Sequence, residues 1–263
     1  MESAVERILT NADYFVLLLF RVSGLIISSP IFGRGIIPAR VKIALTAALA
    51  YLFFTAAPIP VSAIEYSSLI GFFIVLAKEL LLGIALAFVT NMFFSLVFVS
   101  GQMIDMQIGL GMANVYDPQN ATQIPMLGNL LNVILLIVFF GVDGHMRLIE
   151  LIYLTLDKLP VGSLVITPAV GTAAVEVFTR SFTLGVMVAM PVIASGMILE
   201  LAFGVLVRTV PQVNVFVVGV PVKTLVGFVI LMISIPAFIN FSSNIFSGIW
   251  ESLDRVFSTF AAG

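Results

Sequence analysis

This chain has no cysteine and one histidine, His145. Without cysteine there is no disulfide framework, no cysteine-ligated metal, no c-type haem and no cysteine nucleophile. With a lone histidine, one chain cannot build a two-histidine metal site, an HExxH zinc helix or a histidine-based facial triad. Neither GxxxxGK[ST] nor GxGxxG occurs, so no phosphate cradle is legible, and no GxSxG frames a serine that Asp143 and His145 could serve. The segment "GVDGHMRLIE" instead reads as an interfacial turn in which "DGH" interrupts a helix. Charge is equally scarce, at 10% of residues, 14 acidic against 12 basic. No basic face or interleaving of cations with aromatics is present, which sets nucleic acid aside as a ligand. The start of the chain carries Glu2 and Glu6 where a signal peptide would be basic, and no small-residue cleavage site follows, so no removable leader is expected. The reading is of a non-enzyme without cofactor or metal.

What fills the space is hydrocarbon. Hydrophobic residues make up 60% of the chain, and the mean hydropathy is +1.18, beyond what lets a soluble domain cover its surface with polar groups. A helix needs about 20 apolar residues to cross a hydrocarbon layer of about 30 Å. Runs at 14–32, 43–57, 69–104, 126–142, 172–207 and 224–250 meet or approach that length and suggest six crossings. The third and fifth exceed one bilayer, with Pro191 and Pro236 as expected kink points. Pro38 and Pro221 each precede a basic residue and an apolar run, where a missing N–H costs nothing at a helix start. The basic segments around Arg34, Arg40 and Lys42 and from Arg208 to Lys223 would face the cytoplasm. Glu2, Glu6, Asp13, Glu65, Glu251 and Asp254 would then lie outside, with the stretch 105–125 on the cytoplasmic side.

Charges inside the apolar runs are Arg21, Lys78, Glu79, Glu176, Arg180 and Glu200. At bilayer depth such groups face protein or an aqueous cavity. Glu176 and Arg180, four residues apart with the acid first, suit a pair on one helix face. Lys78 and Glu79 are neighbours that point in different directions, so they are expected to pair with other helices or other subunits. A relay would need a convergent chain of such groups, and six scattered charges do not make one. Small residues four apart, Gly24/Ser28, Gly83/Ala87 and Gly185/Ala189, permit close helix approach.

One polar segment stands out, "GQMIDMQIGLGMANVYDPQNATQIPMLGN". Gly109 and Gly111 loosen the helix, and Tyr116, Asp117, Pro118, Gln119 and Asn120 carry turn chemistry. Met103, Met106, Met112 and Met126 surround it, and methionine adapts its shape to close around a gap and repack. Irregular backbone at membrane depth survives only when buried in protein or lining a cavity. The segment therefore suits either a surface connection or a stopper in a conduit.

The chain resembles the FliR family of the flagellar type III export gate, whose virulence counterparts are called SctT. The likeness runs nearly end to end through "LFRVSGLIISSPIFGRGIIPARVKIAL", "KELLLGIALAF", "GQMIDMQIGLGMANVYDP", "PMLGNLLN", "DGHMRLIELI", "LPVG", "MPVI" and "RTVPQVNVFVVGVPVKTLVG". Within it, "DPQNATQIP" is the part where the family varies most.

That resemblance implies an all-α integral membrane protein of long kinked helices arranged as helical hairpins. The chain 1–263 would form a single unit, a FliP-like part over about 1–170 followed by a FliQ-like part over 171–263. The implied partners are FliP and FliQ in a hetero-oligomeric core complex, FlhA and FlhB, the membrane, and unfolded export substrates in transit. The implied place is the bacterial inner membrane within the flagellar basal body. Family members stand partly raised above the membrane plane, and sister subunits satisfy apolar helices as well as lipid does, which weakens any orientation drawn from hydropathy. The segment after "GQMIDMQ" corresponds to the family's plug. The expected gate residues are Gly109, Leu110, Gly111, Met112, Ala113, Asn114, Val115, Tyr116, Asp117, Pro118 and Gln119. Met103, Met106, Met112 and Met126 form the expected methionine seal, and Lys78 and Glu79 the interhelix or intersubunit charges. A virulence-system subunit is the nearest alternative. A small-solute transporter would show matching halves with broken helices, and a pore-less scaffold would share the composition.

Overall fold

A computed structural model of the chain describes residues 10–56, 68–110, 125–165, 167–210, 212 and 215–261. Among them the backbone forms seven helices and no strand: α1 (Ala12–Ser28), α2 (Ala39–Ala56), α3 (Leu69–Ile108), α4 (Met126–Gly141), α5 (Gly144–Lys158), α6 (Ala169–Thr209) and α7 (Val215–Ala261). This is an all-α membrane protein. In a solvent without water every backbone N–H and C=O must be satisfied within its own segment, and the helix does this.

Each apolar run is helical over most of its described length, but fewer helices are long and apolar enough to cross a membrane than the six runs suggest. Among the described residues four helices, α2, α3, α6 and α7, are long and apolar enough to cross a membrane, and α4 with α5 would supply a fifth if counted as one span. The reason is length. At about 1.5 Å per residue, the 17 residues of α1 and the 16 of α4 fall short of the hydrocarbon thickness. Pro38 stands just before α2 as expected, whereas Pro221 does not open its helix: α7 begins at Val215 and carries both Pro221 and Pro236 in its interior. Apolar residues on the N-terminal side extend that helix past the proline, which forfeits one backbone hydrogen bond. Pro191 likewise lies inside α6. Between α4 and α5, Asp143 adopts a left-handed conformation (φ 56°) that ends one helix and opens the next.

The chain divides into two compact units, each assembled from separated segments. The first comprises Met1–Met92, Asp143–Phe178 and Ile249–Gly263. In it α1 buries Tyr14, Leu17, Leu18, Arg21, Val22 and Leu25, the spacing of one helical face. Phe54 of α2 meets the rings of Tyr14 and Phe15 at 6.1 and 5.6 Å. Gly24 of α1 and Gly83 of α3 sit backbone to backbone, and a Cβ on either would collide with main-chain atoms of the other helix. The Arg147 guanidinium lies 4.9 Å from the Trp250 ring centroid, and Glu176 is ion-paired with Arg255. The i, i+4 spacing to Arg180 is thus not the only pairing open to Glu176.

The second unit comprises Phe93–Val142 and Thr179–Gly248. Here the C-terminal part of α3 and α4 form an antiparallel hairpin. Asn132 Nδ2 donates to Phe94 O at 3.2 Å, and Gly101 lies against the backbone of Gly128. Leu127, Leu131, Leu135 and Phe139 turn one face of α4 inward, and Phe139 stacks edgewise on Phe94 and Phe246 at 5.6 and 5.5 Å. The Ser100 hydroxyl reaches Gly185 O of α6 at 2.6 Å, and Lys223 of α7 is ion-paired with Glu200 of α6.

Candidate functional site

The residues that carry the loop's two ends belong to the second unit. Helix α3 stops at Ile108 because Gly109 takes φ +88°, a conformation glycine adopts without strain. The Thr224 hydroxyl of α7 donates to Ile108 O at 2.7 Å, supplying a donor to a carbonyl that the ending helix leaves open. Gly227, one turn on, leaves the room that the Ile108 side chain fills. Leu110 follows, half-buried.

Beyond the loop, α4 opens on Pro125, which offers no side-chain cap. The missing acceptor comes from α3. The buried Asp105 carboxylate accepts the Leu127 N–H at 3.2 Å, as a local N-cap residue would, but across the hairpin. A negative charge at a helix N-terminus also meets the positive end of the helix dipole. Residues 105 and 127 are therefore held together, which pins the α3–α4 hairpin at the two ends of the loop. Sequence reasoning missed Asp105. The one available signal was that a helix starting at a proline without Ser, Thr, Asp or Asn before it must find its acceptor elsewhere.

Of the expected gate residues, Gly109 and Leu110 lie at the foot of this loop. Gly111, Met112, Ala113, Asn114, Val115, Tyr116, Asp117, Pro118 and Gln119 lie outside the described residues, as does Glu65. Among the seal methionines, Met106 and Met126 are 71% and 67% exposed, flanking the two ends of the loop, and Met103 is half-buried one turn below Met106. The Gln107 amide nitrogen is buried without a hydrogen-bond partner among the described residues, against Gly196 of α6.

Within the first unit the expected interhelix charge Glu79 lies fully buried and pairs with Arg21 of the same chain, Nε donating at 2.6 Å. Arg21 Nη1 donates to Leu159 O at 3.0 Å and to Thr155 Oγ1 at 3.2 Å, and the second Glu79 oxygen accepts the Gly162 N–H at 2.8 Å. One ion pair thus pins α1, α3, the end of α5 and the turn that follows it. Lys78 is half-buried and makes no ion pair among the described residues.

Comparison with known proteins decides what kind of chain this is. The family described as "Bacterial export proteins, family 1" matches residues 12–249. A "Flagellar biosynthetic protein FliR" of Bacillus subtilis (strain 168) is 32% identical over 240 residues, covering 89% of this chain and 90% of the relative. The chain belongs to the FliR family. A second FliR, from Escherichia coli (strain K12), is 31% identical over 240 residues, with 91% of each chain covered. The FliR of Aquifex aeolicus (strain VF5) is 27% identical over 254 residues, covering 95% of this chain and 97% of its own. The match runs from the start of α1 to residue 249 of α7, so both anchors of the loop and the Arg21–Glu79 pair lie within the matched span.

Proposed function

We propose that this chain is a structural subunit of the flagellar protein export gate in the bacterial inner membrane, assembled with FliP and FliQ at the base of the basal body. Together they wall a passage for unfolded flagellar proteins, and the excursion 109–123 obstructs that passage at rest. The carrying observation is the closed foot of the loop: Asp105 on Leu127 and Thr224 on Ile108 fix both ends, while Met106 and Met126 stand exposed beside them. Exposed methionines of this kind suit a surface that repacks as a polypeptide passes. All three relatives named above carry the flagellar name, which favours flagellar export over virulence secretion.

The reading is non-enzymatic. Proton motive force and the export ATPase would drive transport through FlhA and FlhB, and the loop needs two states separated by a few kcal/mol so that an entering substrate shifts the population. Residues 1–170 would take the FliP-like place in the ring, and 171–263, essentially the α6 and α7 hairpin, the FliQ-like place. Deleting 109–123 and measuring ion conductance of the reconstituted complex tests the plug. A standing leak is expected, and conductance equal to that of the intact complex would contradict it.

A further inference from the structure

Within the second unit, the packing of α6 and α7 against the α3–α4 hairpin leaves a gap. Around Pro191 of α6 and the turn of α7 that carries Pro236 lies a cavity of about 210 Å³. Ile104 of α3, Leu131 of α4, and Leu231 and Phe238 of α7 are buried and make its floor. Met187, Pro191 and Ala237 are exposed and make its rim. Among the described residues one polar side chain, Ser234, reaches the lining, and its hydroxyl already donates to Ile230 O in its own helix at 2.7 Å.

The chemistry of that lining selects an occupant. It offers no charge and no open side-chain donor, so water finds little to hold it, and an apolar cavity of about 150 Å³ is already roomy enough to stay dry and take up benzene. Left empty, the cavity forfeits dispersion contacts along every side chain that faces it. Its mouth interrupts a long apolar stretch. The nearest ionisable residues along α6 are Arg180 and Glu200, and along α7 Lys223 and Glu251, while Met190, Met232 and Ile233 stand exposed on the neighbouring turns. A charged headgroup or side chain finds no partner in this lining, whereas the end of a hydrocarbon chain needs none. Acyl chains are also the most abundant apolar molecules around an integral membrane protein, and Met187 at the rim adapts its shape to whatever enters.

We propose that this cavity binds the terminal segment of a phospholipid acyl chain, inserted between α6 and α7 with its end against Ile104 and Leu131. The test places the full-length chain in nanodiscs of phosphatidylcholine that carries a photoreactive diazirine either at the end of one acyl chain or close to the glycerol, and maps the adducts by peptide mass spectrometry. Ile104 and Leu131 are 1% and 2% exposed, so a reagent reaches them only by entering. The terminal diazirine is expected to label Ile104, Leu131 or Leu231, and the diazirine near the glycerol none of them. Ser234→Leu and Ala237→Leu each add hydrocarbon to the lining; each should lower labelling of the floor several-fold and leave labelling of Ile198 and Leu201, on the exposed face of α6, unchanged. Adducts confined to exposed residues would overturn the proposal, as would floor labelling that is the same for both lipids or that survives both substitutions. The thermal midpoints of the two variants in detergent are the second measurement. Filling a real cavity commonly stabilises, so at least one midpoint should rise, and a fall in both would show that the space is not there to be filled.

Discussion

Arg21 and Glu79 lie 1% and 0% exposed, and at that burial each needs the other. Removing one partner strands a charge, at a cost of about 3–5 kcal/mol, whereas replacing both with apolar side chains of similar volume is often neutral. Glu79→Ala should therefore sharply reduce the amount of folded chain recovered in detergent. The double change Arg21→Met with Glu79→Met should recover much of it, provided that the Gly162 N–H finds another acceptor. A double variant as poor as the single one would assign these charges more than local pairing. Asp105 offers a smaller effect with a functional readout. Asp105→Ala removes the cap of α4, worth about 1 kcal/mol, and should raise the ion leak of the assembled complex; Asp105→Asn, which keeps an acceptor, should leak less. The sequence marked Glu79 as a charge in need of a partner but could not name Arg21, because 58 positions separate them. It gave Asp105 no role, since its partner is 22 positions away.

Helices show best at the next scale where two of them touch without side chains. Gly83→Val drives a branched side chain into the backbone of α1 around Arg21 and Leu25, and overpacking of this kind costs about 1–3 kcal/mol or more when backbone must move. A lower thermal midpoint in detergent is expected. Gly204→Ala, in α6 with nothing within contact distance of an added Cβ, should instead raise the midpoint, because alanine favours a helix by about 1 kcal/mol over glycine. Helix positions were legible in sequence because hydrocarbon runs and prolines are local signals. Gly109 was read correctly as a loosening point and sets the end of α3, and "DGH" as a break, realised at Asp143. The start of α7 was misplaced because Pro221 resembles a helix-opening proline, and only the residues before it decide that the helix already runs. Six apolar runs yield four or five helices long and apolar enough to cross a membrane among the described residues, because α1 and α4 are each shorter than one full crossing.

Taken as a whole molecule, the chain leaves too much hydrocarbon uncovered to stand alone in water. Within the most apolar windows of α6 and α7 only 22% and 17% of residues are buried, and Ile198, Leu201, Met232 and Ile233 are each largely exposed. Such faces call for lipid or for sister subunits. Co-expression with FliP and FliQ should raise the recovered amount several-fold and protect the chain from proteolysis, measured by blotting of membrane fractions; unchanged recovery would argue against a shared core. That these faces exist was plain from composition, but what covers them is a property of the assembly. The central claim, that the excursion between α3 and α4 lies in the path of the exported polypeptide, is tested most directly by crosslinking. A photoreactive residue replaces Tyr116, in the middle of the excursion, while a substrate fused to a tightly folded domain is stalled in the exporting complex. The account predicts an adduct between this chain and the stalled substrate, lost when the substrate lacks its export signal. Adducts to lipid or to soluble cytoplasmic proteins alone, with substrate stalled in the same complex, would contradict it.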